Sequence, residues 1–158
     1  MRNLPTRTTF PVLREVQTRW HDNDHYGHVN NVVYYAYFDT AVNGWLLDVA
    51  GHDIRELASI GLVLETSCRY YRPIGFPDRL QVGLGVARLG RTSVVYRLAV
   101  FRDGDEEPAA VGRFVHVYVD SATRRPLDIP AELRPAMTAL LEQSHPLFTA
   151  AGLVEEPE

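Results

Sequence analysis

What the chain lacks narrows it first. None of its 158 residues is lysine, so all sixteen basic side chains are arginine. Exclusive use of arginine reads as compositional bias; a guanidinium has a specific task only where it grips a carboxylate or phosphate with two parallel bonds. The twenty acidic residues outnumber the basic ones, for a formal net charge of -4. That balance excludes a general nucleic-acid binder, whose affinity comes from a basic surface releasing counterions. One cysteine, Cys68, is present, so no internal disulfide can form and a reducing, cytoplasmic setting is expected. The opening MRNLPTRTTFPVL has no apolar run of the signal-peptide kind. No stretch approaches the roughly 18 uninterrupted apolar residues that a membrane-spanning helix needs. No G-x-S-x-G elbow occurs, and Cys68 sits mid-strand beside no obvious histidine, which disfavours serine or cysteine nucleophiles.

What is there is ordinary in bulk and unusual in one place. A hydrophobic content of 46% with 23% charged residues suits one globular domain over 1–158, with its core at about 10–143 and loose termini. The unusual place is Trp20 to Gly51, WHDNDHYGHVNNVVYYAYFDTAVNGWLLDVAG. Its first twelve residues are polar and turn at Gly27; the rest is a nearly continuous apolar run. Asn30 and Asn31 are good N-cap types, and Gly51 suits the left-handed position past a C-terminus. The pattern predicts a helix of about nineteen residues, a rod of roughly 28 Å. Its polar residues Asn31, Asp39 and Asn43 fall on one narrow stripe, so most of its surface needs cover.

The flanking segments alternate as strands do. Phe10 to Trp20 presents Val12, Val16 and Trp20 on one side; Leu62 to Arg72 alternates up to Pro73. Leu80, Val82, Leu84 and Val86 form an apolar face whose reverse is Gly83, Gly85 and Ala87, bare enough for the central helix to approach. A turn at Leu89-Gly90 leads to Ser93 to Phe101, and Asp103-Gly104 leads to Ala109 to Asp120, with its Val111, Val115, Val117 and Val119. Pro130 introduces a short amphipathic helix, Ala131 to Gln143, before an acidic, disordered VEEPE end. Residues 1–9 read as a flexible lead-in. Strand, long helix, four strands and a short helix make an α+β chain: one antiparallel sheet of about five strands curled around one helix, the hotdog architecture. Five strands leave an edge bare, so a homodimer or a dimer of dimers is expected.

His21, Asp22, Asp24, His25 and His28 lie within eight residues, and three readings stay open. They suit a metal, but their spacing matches no closed ligand set and no distant Cys or His cluster joins them. They suit helix capping and turns. They also suit catalysis: a carboxylate beside a helix N-terminus, where free N–H groups converge, is half of an acyl-transfer site. Asp24 precedes Asn31 by seven residues with Gly27 between, so its side chain can fold back toward the helix start.

The run DxDxxGHVNNxxYxxYFD from Asp22 to Asp39 resembles the signature of acyl-CoA thioesterases of the 4-hydroxybenzoyl-CoA thioesterase type, in the branch with His-Val-Asn-Asn after the glycine. The resemblance continues in LETSCRYYRP (Leu64 to Pro73), PDRLQVGLGVARLGRTSVVY (Pro77 to Tyr96) and VHVYVDSATRRPLDIP (Val115 to Pro130). It implies that Asp24 is the catalytic nucleophile or general base and that the Asn31 amide is the oxyanion donor. His28 would orient the loop or Asp24. Asn30, Tyr34 and Glu65 are candidate substrate contacts. Arg88 and Arg91, flanking a hairpin turn, fall where relatives carry basic residues near the nucleotide of coenzyme A. No cofactor and no metal are implied, coenzyme A being part of the substrate, with an acyl-carrier thioester the other form of carrier. A hotdog hydratase or dehydratase on the same thioesters, and a non-catalytic acyl-thioester binding module, are the alternatives.

Overall fold

The structure is a computed structural model that describes residues 3–51 and 53–155. Strand β1 (Val12–Gln17) is followed by helix α1 (Val33–Ala50), then β2 (Ser59–Tyr70), β3 (Arg79–Leu89), β4 (Ser93–Arg102), β5 (Ala110–Asp120) and helix α2 (Arg134–Ala151). The strands form one antiparallel sheet in the order β1-β3-β4-β5-β2. This is the hotdog fold expected from the sequence.

Helix α1 ends as its sequence foretells, with Gly51 at φ 69° and its N–H on the Leu47 carbonyl. Its start differs: the helix begins at Val33, and the Asn30 side chain, not that of Asn31, accepts from the Val32 amide at 3.2 Å. Tyr34, Tyr37, Phe38, Ala41, Val42, Trp45 and Leu46 are buried against the sheet. The opposite side, with Val32, Asp39, Thr40 and Leu47, is exposed in the single chain. The helix is therefore covered on one side, not all around.

Which strand face meets α1 is settled by size. Ala110, Phe114 and Tyr118 of β5 join α1 in the main core, and Phe38 lies directly over Gly112. The valine row of β5 faces the other way, where Val111 packs with Phe10, Ala99, Phe101, Phe148 and Leu153 in a second cluster. The glycine face of β3 also belongs to that second layer. Gly83 takes the Phe10 ring, which would stand 2.6 Å from an added Cβ, and Gly85 takes Ser144 and Phe148 of α2. So α2, not the central helix, exploits those glycines. Bulges interrupt β2 between Val63 and Glu65 and β3 between Val86 and Arg88.

Several boundaries move; strand β2 runs Ser59–Tyr70, beginning before the expected Leu62 and ending before Arg72. Strand β1 stops before Trp20, which stands exposed in a single 3-10 turn (Trp20–Asp22) instead of lining the core. Helix α2 starts later than Ala131 and runs on to Ala151 through Pro146. The lead-in is anchored where it was expected loose: Arg7 donates to Gln81 Oε1 at 2.8 Å and to the Arg102 carbonyl at 2.8 Å, and its guanidinium lies over the Phe101 ring. Glu155, in the acidic end, pairs with Arg113 at 2.9 Å. Residues 1, 2 and 156–158, also expected loose, lie outside the described residues.

The contact at Gly112 yields a direct test. A methyl group added there would overlap the Phe38 ring, which is fully buried and has nowhere to move. Gly112→Ala is expected to destabilise by about 1–3 kcal/mol, the usual range for overpacking a core. Urea unfolding checks it, and an unchanged midpoint would show that α1 does not rest on β5 here.

Candidate active site

The loop between β1 and α1 is held by its first aspartate. Asp22 is 1% exposed. Its carboxylate accepts from the Arg19 amide at 2.8 Å, the Arg19 guanidinium at 2.9 and 3.1 Å, and the Tyr37 hydroxyl at 2.8 Å, while its carbonyl accepts from Asn30 N–H at 2.9 Å. Burial alone would raise its pKa, but these donors outweigh it and hold the group below the ordinary carboxylate value. Burial, and then the bond to Asp22, pushes the Tyr37 hydroxyl far up in turn. Asp22 thus clamps the loop to the helix from below. Sequence reading grouped it with the other loop carboxylate and missed this role.

Two residues on, Asp24 stands in the opposite situation. Its backbone N–H donates to the His28 carbonyl at 2.7 Å and its carbonyl accepts from Gly27 at 3.2 Å, a turn that Gly27 closes with φ 83°. Its Oδ1 accepts from the amides of Tyr26 (2.8 Å) and His28 (3.3 Å). No partner falls to Oδ2 among the described residues. The Oδ1 bonds alone therefore orient the carboxylate.

The helix start supplies the complement. Asn30 N–H donates to the Asp22 carbonyl, Val32 N–H to Asn30 Oδ1 and Val33 N–H to the Asn30 carbonyl. Asn31 N–H has no partner among the described residues. Its carbonyl accepts from the Tyr70 hydroxyl at 3.0 Å, which ties the end of β2 to the start of α1. The Asn23 side chain accepts from Phe76 N–H at 3.0 Å and so joins the loop to the segment after β2.

These ties bring Asp24, His28, Asn31 and Tyr34 together around one open cleft of about 400 Å³, walled on the far side by Tyr70, Arg72 and Pro73. Tyr34 is buried at its floor, edge-on to the Tyr70 ring with centroids 5.0 Å apart. Burial first, then nearby Cys68, raises the Tyr34 hydroxyl to about 12, so it stays a neutral donor. Arg72 was not singled out from sequence; its place after the strand-ending Tyr-Tyr pair was the signal. Arg72 also pairs with Glu107. Asn30, expected as a substrate contact, caps the helix start instead and does not line the cleft.

The remaining candidates stand elsewhere. Glu65 is on β2, outside this cleft, paired with Arg113 at 2.9 Å. Arg88 and Arg91 flank the β3–β4 turn, and Arg91 is held by Asp128 at 2.5 Å; neither lines the cleft. Among the described residues no three His, Cys, Asp or Glu side chains converge as metal ligands. None of the described helices is long and apolar enough to cross a membrane.

Comparison with known proteins fits this picture. The family model of the thioesterase-like superfamily matches residues 18–137. The chain belongs to that superfamily. It is 53% identical to the PA5185 protein of Pseudomonas aeruginosa, over 87% of this chain and 96% of that one, with a TM-score of 0.84. It is 31% identical to a thioesterase from Thermus thermophilus whose crystal structure contains coenzyme A and zinc, over 85% of this chain and 96% of that one, with a TM-score of 0.71. A 1,4-dihydroxy-2-naphthoyl-CoA thioesterase from Synechocystis shares the fold at 17% identity, over 81% of this chain and 96% of that one, with a TM-score of 0.74. No curated protein matches the chain.

The Asp22 clamp makes a pH-dependent prediction. Asp22→Asn is expected to cost about 2–3 kcal/mol at pH 7, because it leaves buried donors mismatched. A carboxylate with a depressed folded pKa contributes its stability above the unfolded value, 3.8, and loses it as pH falls below. The gap between wild type and variant should therefore shrink in denaturant titrations at about pH 3. A gap that stays constant with pH would remove the charge of Asp22 from the account.

Proposed function

We propose that this protein hydrolyses acyl-CoA thioesters to the free acid and coenzyme A, as a member of the 4-hydroxybenzoyl-CoA thioesterase type with the His-Val-Asn-Asn variant of its loop. The observation that carries the reading is the pairing of one free carboxylate oxygen, Asp24 Oδ2, with one free amide, Asn31 N–H, on the same cleft at the start of an 18-residue helix. The thioester carbonyl oxygen would accept from Asn31 N–H, where the helix dipole also favours developing negative charge. Asp24 would attack the carbonyl carbon, or take a proton from an attacking water; the C–S bond then breaks and the thiolate of coenzyme A leaves, directly freeing the acid in the water route and leaving a mixed anhydride on Asp24 that water hydrolyses in the other. A thiolate is a stable leaving group, so no strong general acid is required. His28, bonded to Asp24 through its backbone amide, keeps the carboxylate turned to the cleft. Arg88 and Arg91 would meet the phosphates of coenzyme A.

Assembly belongs to the same proposal. Strand β2 is a twelve-residue edge whose Leu62, Val63 and Leu64 are exposed, Leu64 at 69%. The uncovered side of α1 presents Val32 and Leu47. An apolar edge of this length invites pairing with another copy, and two copies joined antiparallel along β2 would cover it. Sedimentation is expected to give at least twice the mass of one chain. A monomer at micromolar concentration would defeat the pairing.

Thiol release from a panel of acyl-CoAs tests the chemistry, with correction for Cys68. Wild type is expected to turn over and Asp24→Asn to lose roughly a hundredfold or more in kcat, the lower end of what a positioned base or nucleophile contributes. Arg88→Ala and Arg91→Ala should raise KM several-fold with kcat held, as lost uniform binding does. Unchanged turnover in Asp24→Asn would sink the assignment. Acyl-CoA binding without thiol release would point to the binding-module or hydratase readings.

A further inference from the structure

A cavity of about 600 Å³ lies on the α2 side of the sheet, walled by Leu4, Ser67, Arg69, Arg97, Arg113 and Leu153 among others. Its charge is lopsided. Arg97 of β4 and Arg113 of β5 stand directly opposite each other across the two strands. Arg69 of β2 lies one strand further out, opposite Val111. Like charges facing each other on adjacent strands destabilise a sheet, and these two side chains are only 20% and 21% exposed. Three guanidiniums thus line one cavity in a chain whose net charge is -4. Such a group calls for an anion, because a desolvated charge is costly unless it is paired.

One carboxylate is already there. Glu155, 11% exposed, binds the Arg113 guanidinium through both its oxygens at 2.9 Å, and Arg113 also pairs with Glu65 at 2.9 Å. Arg97 is served less well: the Glu155 oxygen stands 3.7 Å away, and no hydrogen bond falls to Arg97 among the described residues. Its Nε is fully shielded and unpaired, so the donors it can offer a ligand are those of Nη1 and Nη2. Burial, first of all, lowers the Arg97 pKa; Glu155 opposes this, and Arg113 and Arg69 add to it. Seating the acidic end needs Arg113 alone. Arg97 adds a second desolvated cation that the carboxylate does not reach, and Arg69, exposed at the rim, adds a third.

We propose that this cavity binds a phosphomonoester dianion on Arg69, Arg97 and Arg113, and that Glu155 is the occupant it displaces. A carboxylate brings two oxygens and one charge. A phosphoryl group brings three oxygens and about two charges, and guanidinium forks grip it with paired bonds. Glu155 can leave without unwinding α2. Leu153 stays packed with Phe10 and Phe148, and among the described residues no backbone hydrogen bond holds Val154 or Glu155. The volume exceeds what bare phosphate fills, and Ser67 and Asn3 on the wall could meet hydroxyl groups of an attached body. Free phosphate and a sugar phosphate present the same oxygens to the arginines. The cavity shares Tyr71 with the Asp24 cleft, but its arginines lie outside that cleft, and the inference does not depend on the hydrolase reading.

Calorimetric titration in phosphate-free, low-salt buffer tests it, with inorganic phosphate and ribose 5-phosphate as probes and ribose as the control. Both phosphate-bearing probes are expected to bind and ribose is not. Glu155→Gln, which removes the competing charge, should tighten them by about threefold or more. Arg97→Gln should weaken them by about tenfold or more, as loss of a charge-assisted hydrogen bond does. Arg91→Ala, at the β3–β4 turn, should leave them unchanged. Tighter binding of ribose 5-phosphate than of phosphate identifies a sugar phosphate as the ligand, and binding no tighter identifies free phosphate; both uphold the site. The proposal is overturned by absence of binding to both wild type and Glu155→Gln, by an affinity that Arg97→Gln leaves unmoved, or by no gain in Glu155→Gln. If Arg97→Gln fails to fold, Arg69→Gln, at an exposed position, decides: several-fold weaker binding upholds the site and unchanged binding overturns it.

Discussion

The fold depends on how closely a bulky helix can approach a sheet. Phe38 is fully buried in the middle of α1, and it fits only because β5 offers Gly112 beneath it. Small residues thin the sheet on the opposite face as well, where Gly83 and Gly85 of β3 admit Phe10 and the α2 side chains Ser144 and Phe148. Helix on one face and helix on the other are both seated by glycine, in neighbouring parts of one sheet. With the body of α1 pinned this way, its N-terminus emerges where β2 finishes, and Tyr70 fastens the two ends together. The free amide at Asn31 is delivered to the surface by packing roughly two turns further along the helix.

Much of this was legible because its signals are local. The long apolar run between Asn31 and Gly51, the glycine-marked turns and the alternation in β3 each specify an element from neighbouring residues alone. What was not legible depends on partners distant in the chain. Alternation shows that β5 has two faces but not which is inner; the valine row looks like core, yet Phe114, His116 and Tyr118 take that side because the space next to α1 is deep enough for large rings. Trp20 continues the β1 alternation but leaves the strand, since Arg19 and Asp22 close a tight turn there. Helix α2 outlasts its expected end because Phe148 finds the Phe10 and Phe101 rings, and that packing outweighs the amide donor missing at Pro146.

Within the site, two aspartates two residues apart are separated by environment alone. Asp22 commits one oxygen to the Arg19 guanidinium and the other to the buried Tyr37 hydroxyl, and serves the architecture. Asp24 commits one oxygen to its own turn and keeps the other at the cleft. Their different surroundings are how a single loop holds a structural carboxylate and, on the proposed reading, a reactive one at once. The residue spacing could not say which was which, since the deciding donor, Tyr37, lies fifteen residues downstream on the helix.

The two sheet edges are treated differently, and that difference carries the last step. Strand β1 is six residues long and is guarded by the Arg14–Asp48 ion pair. Strand β2 is twice that length, apolar at Leu62, Val63 and Leu64 where it is exposed, and interrupted by the bulge between Val63 and Glu65. Natural sheets blunt an edge that must stay free and leave bare an edge that is meant to be covered. On the proposed pairing, Leu62, Val63 and Leu64 of each copy would be covered by the same strand of the other.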